Sequence, residues 1–425
     1  MRHPHKPTAI ESPQYAIVPL PDDLVQSPGR RFLWWRFIHL LTSSFLCWNP
    51  DVLSGDVNFR NPFAIILAPM ALGNDAFRAA ALGLSASRCV GLRCSPQMFA
   101  DEACMHLVAA KHNDMTDTGA RLAVIATAIF VHLFDDAGDY FNLLDLARSA
   151  AASLGRFEDL PENFQAGFEV VVGTLRWIDI CTNFSLRRHV PIANERIHNL
   201  ILVDDGELRY LDERAFCPLT IKSWLVQPTY AFSSRLINPL LRLSRLSRIR
   251  QNQRELMIAD DSCLQTQIDE LEQDFVAVRD HDRSFLRHGT TDDAALLCLN
   301  EATAAMAFML YCTRLRDIPS HAPVITHLLT EARRHLEQIA FNSPAALGTV
   351  FPLYVMGLEA LDEEIQHFVE TRLAHLPGLW NGREHRLINS LRRVWALRGT
   401  MPEQPWNTWT HCLQAYSDGE EPAPI

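Results

Sequence analysis

The chain has 425 residues, 48% apolar and 21% charged; that supports a substantial buried core and excludes wholesale disorder. Lys and Arg number 39 against 50 Asp and Glu, a formal net charge of −11, which disfavours nucleic-acid binding through this chain's own surface. Ten cysteines with no pair at C-x-x-C spacing read as reduced, mostly buried thiols of an intracellular protein, with no zinc site built from Cys alone.

Residues 1–27 are rich in Pro and polar groups, an expected extended lead-in with no signal-peptide-like apolar run. "FLWWRFIHLLTSSFLCW" (Phe32–Trp48) is the most apolar early run, yet Arg36 and His39 interrupt it and it is too short to span a bilayer. From Arg30 onward helical periodicity dominates. "FRAAALGLSASR" (Phe77–Arg88), "RLAVIATAIFVHLF" (Arg121–Phe134) and "LLDLARSAAASLG" (Leu143–Gly155) are Ala/Leu-rich, and Gly155 is placed to close the third as a C′ residue. "ILVDDGELRYLDER" (Ile201–Arg214) reads as a hairpin-like excursion.

"RLINPLLRLSRLSRIRQNQR" (Arg235–Arg254) interleaves Arg with Leu. One reading is a nuclear-import or nucleic-acid patch; the preferred one is an amphipathic surface helix neutralised by the acidic stretch "DELEQDF" (Asp269–Phe275). "ITHLLTEARRHLEQIAF" sets Ile325, Leu328, Leu329, Leu336 and Ile339 on one face, and "LDEEIQHFVETRLAHL" (Leu361–Leu376) repeats the pattern. No internal repeat is present. The expected organisation is all-α, one large helical bundle or array over residues 28–415, between the lead-in 1–27 and an acidic tail 416–425. No membrane association is expected.

In "IFVHLFDDAGDYFNLL" (Ile129–Leu144), Asp135, Asp136 and Asp139 follow an apolar helix at D-D-x-x-D spacing. Mg²⁺ prefers carboxylate oxygens and bridges them to phosphate oxygens. The spacing is similar to the first metal motif of class I terpene cyclases. Under that reading Phe130, Phe134, Tyr140 and Phe141 line an apolar pocket, and Arg187 and Arg188 clamp the diphosphate. A second metal motif is lacking: after Asn113-Asp114, Asp117 and Arg121 stand where a hydroxyl and a Glu are needed. Gly138 also suggests that the helix ends inside the motif. The plainer reading is a polar loop in which Asp139 caps the next helix. His189, His198, His321 and His327 lack ligand spacing, and Trp34, Trp35 and the C-terminal Trp residues are expected to pack the core.

Four stretches carry a resemblance. They are "NPFAIILAPMAL" (Asn61–Leu72), "AAMAFMLYCTRLRDIPSH" (Ala304–His321), "FPLYVMGLEALDEEIQHFV" (Phe351–Val369), and "LRRVWALRG" (Leu391–Gly399) followed by Trp406 and Trp409. The third matches a P-L-x-x-x-G-x-E-A-x-D pattern through Pro352, Leu353, Gly357, Glu359, Ala360 and Asp362. In order and spacing, over residues 28–412, they resemble the regulatory (fungal-specific transcription factor) domain of fungal zinc binuclear-cluster transcription factors. The resemblance implies an all-α bundle that receives a signal and controls transcription. The family's six-Cys DNA-binding head has no counterpart here, since the first cysteine is Cys47, so no DNA-contacting residue carries over. Asp135 and Asp136 occupy or adjoin usually apolar positions of the family pattern.

The first expectation is therefore a regulator without its own DNA-binding head, tied to a secondary-metabolic gene cluster and located in the nucleus or cytoplasm. It would bind other regulatory proteins or a small apolar ligand and need no cofactor. The alternative, from a different class, is a Mg²⁺-dependent terpene cyclase acting on a prenyl diphosphate on the same helical scaffold.

Overall fold

The computed structural model describes residues 19–42, 61, 63–89, 95–111, 117–134, 142–155, 157–184, 225–227, 231–255, 262–289, 293–376 and 383–398. These residues are all-α, as expected. The first half runs α1 (Asp22–Gln26), α2 (Pro28–Arg36), α3 (Ala68–Leu72), α4 (Asp75–Ser87), α5 (Pro96–Lys111), α6 (Thr118–Phe134), α7 (Asn142–Ala152) and α8 (Glu162–Phe184). Two short antiparallel strands follow, β1 (Val226–Gln227) and β2 (Phe232–Ser233), with Val226 opposite Ser233. The second half comprises α9 (Ile237–Glu255), α10 (Ser262–Arg287), α11 (Ala294–Arg314), α12 (Pro323–Glu337), α13 (Val350–Glu359), α14 (Glu363–Ala374) and α15 (Arg383–Arg398).

In the first half α4 lies between α5 and α6. Asn74 starts it, its side-chain oxygen accepting the Phe77 N–H at 2.9 Å. Every residue from Ala76 to Ala86 is buried, because Ala and Gly let neighbouring helices approach on all sides. The closest approach is at Gly83, where an added Cβ would stand 2.6 Å from the Phe134 ring and 3.0 Å from Phe99. Buried Arg78 is matched rather than stranded: it meets Asp75 at 2.6 Å and Asp23 at 3.2 Å, and donates to the Leu72 carbonyl. Between α7 and α8, Arg148 and Asp179 form a buried pair at 2.6 Å. The α7 segment closes as predicted, with Gly155 at φ +79°.

The second half is built around α11, which α9, α10, α12, α13 and β2 all touch. Among the described residues α11 is the one helix long and apolar enough to cross a membrane, with mean hydropathy 1.5. Its enclosure by neighbouring helices accounts for that composition. The predicted apolar face of α12 is buried through Ile325, Leu328, Leu329 and Leu336.

Two expectations are corrected. Helix α9 is not a surface helix: Leu240, Leu241, Leu243, Ser244 and Leu246 are all buried, covering more than one face, so it inserts against α8 and α11. Of its arginines, Arg242 meets Asp274 and Glu270 of the expected acidic stretch on α10, whereas Arg250 and Arg254 meet Asp317, outside that stretch. Trp34 is buried, but Trp35 is 51% exposed and rests on the His39 ring at 5.2 Å. On a helix, consecutive residues point about 100° apart, so one Trp faces the core and the next leaves it. The excursion at Ile201–Arg214 and the residues 1–18 and 416–425 lie outside the described residues.

Candidate functional site

Asp135, Asp136, Asp139, Tyr140, Phe141, Arg187 and Arg188 lie outside the described residues; α6 is described to Phe134 and α7 from Asn142. Of the aromatic wall expected beside them, Phe130 and Phe134 are among the described residues. Phe130 meets Phe77 edge-on at 5.0 Å and Phe37 at 5.8 Å, while Phe134 lies against Gly83. Both rings are buried and used up in packing. Asp117 accepts the Ala120 N–H at 3.1 Å at the start of α6. The exposed His327 sits on α12 and the exposed His321 just before it. Of the described cysteines Cys181 and Cys312 are buried, and burial pushes the Cys312 thiol up to about 12.

A cleft of about 70 Å³ opens between α10 and α11. Phe275 and Phe308, edge-to-face at 6.2 Å, wall it together with Ala304; Arg279, Asp282 and Glu301 supply its polar groups. Local sequence places them. The buried stripe of α10 runs Leu264, Ile268, Leu271, Phe275 and then Asp282, a three-four spacing that carries one carboxylate onto the apolar face. Asp282 is 2% exposed and accepts from Ser233 Oγ at 3.2 Å and Asn300 Nδ2 at 3.3 Å. Asn300 Oδ1 in turn accepts the Ser233 N–H at 2.7 Å, fastening β2 to α10 and α11. Burial raises the Asp282 carboxyl above the ordinary carboxylate range, against those hydrogen bonds and the charges of Arg235 and His281.

At the mouth of the cleft, Glu301 of α11 meets Glu331 and His335 of α12, and one donor atom from each lies within 4.8 Å of the others. Glu331 and His335 share a helix face at i, i+4, and Arg279 donates to Glu331. The Nδ1 of His335 is buried without a hydrogen-bond partner. Burial lowers the His335 imidazole below its ordinary value; Glu301 and Glu331 oppose this while Arg334 and Arg279 add to it. The result is an apolar cleft whose mouth holds two carboxylates, an imidazole and a guanidinium. None of these was singled out from the sequence. The available signals were Asp282 on an apolar stripe and the pair Glu331-x-x-x-His335 inside an amphipathic helix.

The positions that carry the family resemblance do a different job. Glu359, 1% exposed, receives Arg314 at 2.7 Å, Ser320 Oγ at 2.7 Å and Arg398 at 3.4 Å, joining α11, α13 and α15. Burial pushes Arg314 down to about 9, with Glu359 opposing and Arg398 and Arg254 adding to the effect. At Gly357 an added Cβ would stand 2.7 Å from Leu391, and the Gly357 carbonyl accepts Trp395 Nε1 at 2.7 Å. These residues hold helices together and do not line the α10–α11 cleft.

A family model described as "Fungal specific transcription factor domain" matches residues 41–419. No curated protein and no solved structure matches the chain.

Proposed function

The chain belongs to the fungal-specific transcription factor domain family, whose match spans residues 41–419, and from that premise we propose that it regulates transcription by docking another regulatory protein on its helical array, without direct contact to nucleic acid. One observation carries the mode of action. Of the twelve exposed large apolar residues among the described residues, eight (Leu20, Val25, Phe32, Trp35, Leu40, Met98, Met105 and Val108) fall on or beside α1, α2 and α5. Phe32 and Trp35 share the outer face of α2, with the exposed His39 just beyond its end; Met98 and Met105, seven residues apart, share that of α5. Clustered exposed aromatic and Met side chains suit a protein interface, and the net charge of −11 suits a protein partner better than a phosphate backbone.

The test fuses the whole chain to a heterologous DNA-binding domain and reads a reporter in a fungal host. The fusion is expected to change transcription, and Trp35→Glu with Met105→Glu is expected to remove the effect. A wild-type fusion indistinguishable from the DNA-binding domain alone overturns the reading.

A small apolar ligand is the second reading, supported by the cleft between Phe275 and Phe308. Such a ligand shifts a conformational equilibrium only as far as it binds the two states unequally. The regulator reading stands ahead of a Mg²⁺-dependent cyclase because Phe130 and Phe134, the described part of the expected pocket wall, are packed into the core. Incubation with farnesyl or geranylgeranyl diphosphate and Mg²⁺ separates the two. A hydrocarbon product lost in Asp135→Asn reverses that order.

A further inference from the structure

We propose that Glu301, Glu331 and His335 bind a first-row divalent transition-metal ion that bridges α11 and α12 at the mouth of the α10–α11 cleft. Three donors from two adjacent helices already converge within 4.8 Å. A zinc-like ion holds its donors at about 2.0–2.2 Å, and side-chain rotation closes the remaining gap. Two features beyond proximity point to a cation. The buried Nδ1 of His335 has no hydrogen-bond partner, and a buried polar atom without one is costly. Glu301 makes no hydrogen bond or ion pair among the described residues.

Charge balance points the same way. Arg279 pairs with Glu331 and Arg334 approaches the Nε2 of His335 at 3.4 Å, while Glu301 has no ion-pair partner among the described residues. A carboxylate accepts at both oxygens, so the guanidinium on one side of Glu331 leaves lone pairs for an ion on the other. The donor set selects the metal class. One imidazole with two carboxylates suits Zn²⁺, Mn²⁺ or Fe²⁺, whereas Mg²⁺ and Ca²⁺ prefer oxygen alone. Three protein donors leave coordination positions for water or for a polar group of a molecule in the cleft. The ion thereby ties α11 to α12 and stabilises that pairing by mass action.

The experiment uses the untagged full chain carrying Cys263→Ser, which removes an exposed thiol that competes for soft metals. After chelator treatment and dialysis, Zn²⁺, Mn²⁺ and Mg²⁺ are each titrated alone by calorimetry, and melting is recorded at each saturation point. Expected are one bound equivalent of Zn²⁺ or Mn²⁺, a raised Tm, and no saturable heat with Mg²⁺. His335→Asn and Glu301→Gln each weaken binding by about tenfold or more, while His281→Ala, on the exposed side of α10, leaves it unchanged. Circular dichroism verifies that each variant keeps its helices. Absence of saturable Zn²⁺ and Mn²⁺ binding in the folded chain overturns the proposal. So does binding that survives His335→Asn, or Mg²⁺ binding of equal strength.

Discussion

At the scale of single residues, the most consequential side chains are buried charges. Glu359 serves two arginines, Arg314 at 4% exposure and Arg398 at 7%. Replacing the shared carboxylate removes the negative charge that faces both buried guanidiniums, so Glu359→Gln is expected to cost about 3–5 kcal/mol, read as a fall in the denaturation midpoint. A loss below 1 kcal/mol would show that the network is solvated. Asp282 gives a pH-dependent prediction. Its folded pKa is raised, so the folded chain holds that proton to higher pH than the unfolded chain. The stability it contributes is present below the ordinary carboxylate value near pH 4 and is lost as pH rises through the folded value. Asp282→Asn stays neutral throughout. The variant is therefore expected to gain on the wild type as pH is raised from about 4 to 7. A stability difference that does not move with pH refutes this.

At the scale of elements, close helix approach through glycine sets the geometry. Gly83→Ala drives a methyl toward the Phe134 ring and Phe99 and is expected to destabilise by about 1–3 kcal/mol. Gly29→Ala in α2, whose nearest outside atom is Ser27 Oγ at 4.0 Å, is expected to be neutral or stabilising. Equal effects in thermal melts would show that crowding is not the cause. The same elements show what was legible in the sequence. Helices α4, α6 and α12 were readable because Ala/Leu richness and apolar spacing report how much of a helix is buried. The placement of α9 was not, because interleaved Leu and Arg tell which residues are apolar but not how many neighbours surround them. The cleft was hidden for a related reason: Asp282, Glu301 and Glu331 come from three helices, and only tertiary packing brings them together.

At the scale of the whole molecule, the family's signature residues and the surface carry separate information. Glu359 and Gly357 are spent on holding helices together, so they identify the scaffold without saying what it touches. Under the docking proposal, contact with a partner would fall to residues that the fold does not need. If the N-terminal face serves binding, charge placed there should leave folding alone. Trp35→Glu and Met105→Glu, at positions 51% and 66% exposed, are each expected to shift unfolding by no more than about 0.5 kcal/mol while removing the transcriptional effect of the fused chain. Trp35 is the sharper probe, since its ring rests only on His39 among the described rings. A drop in stability above 1 kcal/mol for either variant assigns these side chains to the fold itself, and the regulatory face must then be sought elsewhere. Stable variants with full reporter activity place the docking surface away from α2 and α5, with the α10–α11 cleft and its acidic mouth the next region to probe.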